Sequence, residues 1–281
     1  MYLKKPMIIM VHRIECNNSS IDELYYQRNL VYKIDDLIEI INEVLKSKYS
    51  FGTLQQSIET NNHLHITFDD GYKEHLTVAK KLKKEYGLKK EFCSFAINIG
   101  NSLLSDFSGM DLIYNIIQNN SIEELCNYLS INHQKNCNIE FLKEIYIKMS
   151  ISEIESIKNS FKFNKEILQN QFLNKQEVIE LSKLFNIISH GIYHRDLRYH
   201  KNFSKKEILD SKKHLEKLCN TPIEVFCYPE GKNDEDIWQM CKDSGYKFGL
   251  SINHTPNNPY KIGRYCINRN MTELLRDLND T

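Results

Sequence analysis

An α/β fold built on a mainly parallel sheet or barrel is what this chain of 281 residues predicts. Three observations lead there. Short apolar runs rich in β-branched and aromatic residues recur along the chain. Helical patterns lie between many of them, the arrangement that parallel strands need for their crossovers. The composition is 41% hydrophobic, enough to fill a sizeable core.

The first apolar run is "MIIMV" (7–11), the second "HLHITF" (63–68), which leads into "TFDDGY". After it, Leu76, Ala79, Leu82 and Tyr86 form one helical stripe, and Gly87 is placed to end that helix. "EFCSFAI" (91–97) reads as the next strand. Residues 101–172 differ: they are polar, helical in pattern and poor in strand signals. Within them "SIEE" (121–124) and "SEIE" (152–155) read as helix starts. We read 101–172 as a helical insertion in a single domain spanning 1–281, either a cap beside the site or a solvated decoration. Strand patterns resume with "NIIS" (186–189), "IEVFCY" (223–228), "KFGLSI" (247–252) and "YCIN" (265–268). From Ser204, "SKKE" reads as a capping box, with Ile208, Leu215 and Leu218 following on a helix.

Lys+Arg and Asp+Glu each number 37, so the net charge is zero, which argues against a nucleic-acid binder. No segment approaches the about 18 apolar residues of a membrane span. The eight cysteines are scattered with no Cys-x-x-Cys pair, as free thiols in a reducing compartment would be. The expectation is a cytoplasmic protein without an integral membrane segment, at most peripheral to a membrane. The oligomeric state is not set by the sequence.

Two stretches carry chemistry. In "TFDDGY" two carboxylates stand side by side at the end of an apolar run, where they repel and burial makes the repulsion worse. In "SHGIYHRDL" (189–197), His190 and His194 follow the strand-like "NIIS". Two imidazoles and one carboxylate are a common facial ligand set for a divalent metal. A cation held by one aspartate would offset the repulsion and leave the other ionised as a base. Taken singly, "DDG" also reads as a turn and the two histidines as surface or core residues. Together, each at the end of a strand-like run, they point to a site.

These segments, followed by "FCYPEGKND" (226–234) and "DSGYKFGLSI" (243–252), resemble in order the motifs of the polysaccharide deacetylases, the NodB-homology hydrolases of carbohydrate esterase family 4. The resemblance covers roughly 1–100 and 175–268 and leaves the insertion outside it. It implies a distorted (β/α)7-type barrel with a helical insertion. It implies removal of an N-acetyl group from an amino sugar, in a polysaccharide or a cytoplasmic glycan precursor. By the same resemblance Asp69 is the catalytic base, and Asp70, His190 and His194 hold one divalent metal ion, zinc before cobalt or nickel. The backbone N–H of Glu230, after the motif proline, is then the oxyanion donor.

The chain departs from the family pattern in three places. Gly191 replaces a hydroxyl residue. The Leu-x-His that usually supplies the proton to the leaving amine is missing from "KIGRYCINRN". A permuted branch resembling exopolysaccharide deacetylases draws this histidine from an N-terminal "YHRI"-like segment, and "MVHRI" makes His12 the candidate acid, with His254 in "SINHTP" as the alternative. Cys227 occupies the place of the arginine that orients the base, and Arg264 could supply that charge from the last strand. Trp238 and Tyr193 could stack on a sugar or pack in the core. Two other readings stay open: an amidohydrolase of the same fold acting on a formyl or other small non-sugar amide, and a carbohydrate-binding pseudoenzyme. The presence of Asp69 beside the ligand set favours an enzyme, since a binder has no need of a base.

Overall fold

The computed structural model describes residues 5–16, 21–60, 62–129 and 138–267; Cys137, Asn268 at the end of "YCIN", and both ends of the 1–281 span lie outside them. The strands are β1 (Ile8–Val11), β2 (Arg13–Glu15), β3 (Val31–Lys33), β4 (Ser50–Phe51), β5 (His63–Phe68), β6 (Cys93–Ile97), β7 (Asn186–Ser189), β8 (Val225–Cys227), β9 (Phe248–Leu250) and β10 (Tyr265–Cys266). Seven of them form one curled parallel sheet in the order β10-β1-β5-β6-β7-β8-β9. β4 pairs with β5 at its start, and β2 and β3 make a separate parallel pair. Ile262 bridges to Leu250 on β9, and Tyr265 pairs with Ile9 on β1. The segment between them therefore touches both edges of the sheet, as a distorted (β/α) barrel requires.

The strand runs are apolar because both their faces are covered. One face lines the barrel interior, where Ile8, Ala96, Ile188, Val225 and Leu250 form a cluster. The other packs against helices, with Ile9, Val11, Ile66, Phe68, Phe95 and Ile97 in the main core. Phe68 and Phe95 stack at 4.4 Å between ring centres; burying each such ring is worth roughly 1.5–3 kcal/mol. Side chains alternate along a strand, so the inner face is inherited by the residues that follow it. Ile8 and Met10 hand it on to His12, His65 and Thr67 to Asp69, Ile188 to His190, and Val225 to Cys227.

The helices are α1 (Glu23–Gln27), α2 (Ile34–Lys46), α3 (Leu54–Glu59), α4 (Glu74–Glu85), α5 (Met110–Asn119), α6 (Ile122–Tyr128), α7 (Ile139–Tyr146), α8 (Ile151–Ser160), α9 (Lys165–Gln171), α10 (Lys175–Leu184), α11 (Lys201–Cys219) and α12 (Glu235–Asp243). α5 to α9 share a second core that also takes in Tyr25 of α1 and Tyr72. α4 ends as its sequence suggested, with Gly87 just past it at φ +61°, a conformation that suits a residue without Cβ. α6 is capped by the Ser121–Glu124 box.

Three local expectations need correction. α8 is capped by Ser150 and Glu153, two residues before "SEIE", because that register turns Ile154 and Ile157 inward. α11 begins at Lys201, ahead of "SKKE", so Ser204 and Glu207 lie inside the helix, buried, and cap nothing there. Cys126 is disulfide-bonded, against the expectation that every cysteine is free; six others among the described residues are free. β2, β3 and β4 are not among the strand-like runs read from the sequence.

Candidate metal and active site

The residues singled out in the sequence meet at the C-terminal ends of the barrel strands, the usual place for a site in a parallel α/β fold. His12 follows β1, Asp69 and Asp70 follow β5, His190 and His194 follow β7, and Glu230 follows β8. All six line one cavity of about 270 Å3. His254 lines a different cavity, and Trp238 and Tyr193 line neither.

Asp69 continues the β5 ladder, its N–H donating to Val11 at 2.8 Å. Its side chain points inward and meets Arg264 in a two-point pair, both contacts 2.8 Å, and Arg264 also donates to Thr67 Oγ1 at 2.9 Å. Burial works against this charge, but Arg264 and the imidazoles around it hold the Asp69 carboxyl down at about 2. Arg264 thus supplies the charge absent from position 227. The Cys227 thiol packs 3.5 Å from Asp69 Oδ2, and burial pushes its pKa up, so it stays a thiol.

At Asp70 the backbone turns into the left-handed region, φ +77°, which swings its carboxylate away from that of Asp69. Asp70 Oδ1 lies 3.2 Å from His190 Nε2 and 3.0 Å from His194 Nε2. Burial alone would raise the Asp70 pKa; the two imidazoles hold it well below the carboxylate range. His190 Nδ1 donates to the Cys227 carbonyl at 2.8 Å, which leaves Nε2 as the lone-pair nitrogen of the neutral ring. That lone pair then faces a carboxylate oxygen that makes no hydrogen bond of its own. Two acceptors buried head to head are stable only with a cation between them, a proton or a metal ion. One donor atom from each of Asp70, His190 and His194 lies within 4.8 Å of the others. A second group, Asp69, His190 and Cys227, is as compact, but Arg264 already occupies Asp69 and Cys227 holds its proton. The Asp70 set fits a divalent ion.

The loop between the two histidines is held from outside the motif. Glu207 Oε1 accepts from the N–H groups of Ile192 and Tyr193 at 2.9 and 3.0 Å. This carboxylate is the glutamate of "SKKE", which reads in sequence as a cap for its own helix. Gly191 is explained by the same contact. It sits at φ +74°, and a Cβ there would come within 3.0 Å of Glu207 Oε1. The β6–β7 ladder also runs on past its strands, with Ile99 N–H donating to Gly191 and Gly100 N–H to Ile192, both at 3.0 Å.

His12 is half-buried, and its Nδ1 has no hydrogen-bond partner. Burial lowers its pKa, against the pull of Asp70 and Asp69. Its carbonyl accepts from His75 Nε2 at 2.6 Å, which fixes the backbone at the strand end. Glu230 has left-handed backbone, φ +57°, and its side chain pairs with Lys143 of α7. Burial opposes the Glu230 charge, but Lys143 beside it holds the pKa below the ordinary value.

No helix among the described residues is long and apolar enough to cross a membrane. No curated protein sequence matches the chain. Among solved structures, the deacetylase PplD of Streptococcus pyogenes, in complex with acetate, superposes with a TM-score of 0.62 at 17% identity, over 98% of each chain. IcaB from Ammonifex degensii does so with a TM-score of 0.60 at 10% identity over the whole of both chains. The deacetylase domain of BpsB from Bordetella bronchiseptica gives 0.53 at 13% identity, over 93% of this chain and 95% of that one. At such identities these likenesses establish the fold alone. The sequence profile of the polysaccharide deacetylases matches residues 57–249, more than half of the chain and both strand ends that carry the aspartates and histidines, and the chain belongs to the polysaccharide deacetylase family.

Proposed function

We propose that this protein is a metal-dependent hydrolase that removes the N-acetyl group from an amino sugar of a glycan. Asp70, His190 and His194 would hold one divalent ion, and their nitrogen and oxygen donors suit zinc, with cobalt or nickel next. When bound, the ion supplies Lewis acidity toward the amide carbonyl and acidifies water. Asp69, held ionised and in one orientation by Arg264, takes the proton of the attacking water. The backbone N–H of Glu230 is our choice for a donor to the oxyanion that forms at the acetyl carbon. His12, at the end of the neighbouring strand β1, gives a proton to the departing amine. We take 101–172 as an insertion within one domain, with α5 and α7 as a wall of the site, since Asp111, Tyr114 and Lys143 line the cavity.

The observation that carries this reading is the convergence of Asp70, His190 and His194 on one buried point beside a separately clamped carboxylate. As for the compartment, the disulfide at Cys126 fits oxidising surroundings better than the cytoplasm expected from free thiols. It therefore favours a polysaccharide over a cytoplasmic precursor as substrate. Elemental analysis together with acetate release from a panel of N-acetylated oligosaccharides and nucleotide sugars tests the proposal. We expect close to one divalent ion per chain and acetate from at least one sugar. Metal without acetate from any sugar, but with turnover of a formyl or non-sugar amide, would shift the assignment to another amidohydrolase. Sugar binding without turnover of any amide would make the protein a pseudoenzyme.

A further inference from the structure

Asp111 comes from α5, outside the family motifs, yet it lines the same cavity as the metal set. It is 6% exposed. Both Tyr25 and Tyr72 donate their hydroxyls to its Oδ1, the second at 3.0 Å. The two phenol rings are themselves held by Arg13, whose guanidinium lies 4.8 Å from the centre of one and 4.3 Å from the other. Arg13 in turn is anchored on Glu74 at 2.6 Å. The carboxyl group is thus fixed in place through one oxygen, while Oδ2 takes none of the hydrogen bonds that the residue makes. A carboxylate can accept about four hydrogen bonds, so Oδ2, on the wall of the cavity, is open to a donor from a bound molecule. Other charges on the cavity wall already have partners: Lys143 has Glu230, Arg28 has Glu140 at 2.9 Å, and Asp69 has Arg264.

We infer that Asp111 is a substrate-binding residue, its Oδ2 accepting a hydrogen bond from a ring hydroxyl of the sugar whose acetamido group is cleaved. The inference rests on the deacetylase reading above and adds to it a determinant of which ring enters the site. A hydroxyl is the donor chosen here because Lys143 and Arg28 on the same wall disfavour an ammonium group. The geometry makes Asp111 a gauge of ring orientation: the aspartate is held through Oδ1 by two hydroxyls, so a sugar that lacks the hydroxyl, or carries it on the other face, makes no bond to Oδ2.

The test compares the wild type with Asp111→Asn, which keeps the size of the side chain but turns an acceptor into a donor. The probe is an N-acetylglucosamine oligosaccharide, together with derivatives singly deoxygenated at C3, C4 or C6 of the reacting ring. Acetate release and metal content are read for each. On the parent sugar, kcat/KM should fall roughly 10- to 100-fold in Asp111→Asn, with metal content unchanged. One deoxy derivative should be as poor for the wild type as the parent is for the variant, and the variant should lose nothing further on it. Equal activity of variant and wild type, or the same fold loss on all the derivatives, overturns the assignment and leaves the deacetylase reading intact. If the variant does not fold, the wild-type deoxy series decides alone, and no derivative losing about tenfold overturns the assignment. A wild type that carries metal but releases acetate from none of these sugars, or from any other N-acetylated sugar, sinks the deacetylase reading and this one with it.

Discussion

Asp69 and Asp70 are adjacent in the chain, yet they belong to different regions of the molecule. Asp69 is the last inward-facing residue of the β5 barrel face and is neutralised by Arg264 from the β10 edge of the sheet. Asp70 lies in the turn beyond, where φ +77° points it at two imidazoles on the rim. A single change of backbone region sends two carboxylates that would otherwise repel to different partners, Arg264 for Asp69 and the two imidazoles for Asp70. The lesson is that a pair of like charges is tolerated when the chain sends them to opposite partners.

The largest effect that can break this comparison falls on the rim. His190→Ala or His194→Ala should abolish metal binding and bring acetate release to background, measured by elemental analysis and assay on the same sample. Metal retained at full occupancy in either variant would remove the rim half of the comparison. On the barrel side, Asp69→Asn should keep the metal and still lose about two or more powers of ten in rate; loss of metal would show that the roles of the two aspartates are reversed. His12→Ala should likewise keep metal and fold and lose about two powers of ten, whereas His254→Ala, which alters a different cavity, should be near wild type.

Arg264→Met tests the clamp itself through stability. It leaves Asp69 buried and unpaired, at a cost of roughly 3–5 kcal/mol, readable as a lower midpoint in urea at neutral pH. The sign with pH follows from the depressed Asp69 pKa. The stability it confers is complete above the ordinary 3.8 and is lost as pH falls through about 2. The gap between wild type and Arg264→Met should therefore narrow across that window, and a gap independent of pH would show that the arginine acts by packing. The smallest effect concerns Glu207. Glu207→Gln keeps one acceptor for the loop that carries His194, and should weaken metal affinity by about tenfold or somewhat more, the scale of an outer-shell change. Unchanged affinity would mean that the β6–β7 ladder alone holds the loop.

β5 and β6 were legible because five or six consecutive residues show burial on both faces; β8, β9 and β10, as short as the unread β2, β3 and β4, were legible only as parts of the longer runs "IEVFCY", "KFGLSI" and "YCIN". The metal set was legible because its three residues fall in two short stretches, each at the end of such a strand. "SKKE" misled for a physical reason: the spacing that makes a capping box also puts a glutamate one turn into a helix, free to face a neighbouring loop, and only packing decides which occurs. The stacking candidates Trp238 and Tyr193 were apolar enough to line a site, but Trp238 donates to Asn233 at 2.7 Å and Tyr193 packs on Phe203, both away from the cavity.

By itself the sequence determined the α/β class, the two aspartates and the two histidines, because apolar strand runs and the turns after them are local properties of the chain, while the barrel was implied by the family resemblance. Tertiary structure alone decided that Arg264 meets Asp69 across 195 residues, that Glu207 holds the histidine loop, and that Asp111 from the helical segment reaches the cavity. These contacts depend on how far the sheet curls and where the helices dock, and that is set by side-chain packing over the whole core, for which no short stretch of sequence carries a signal.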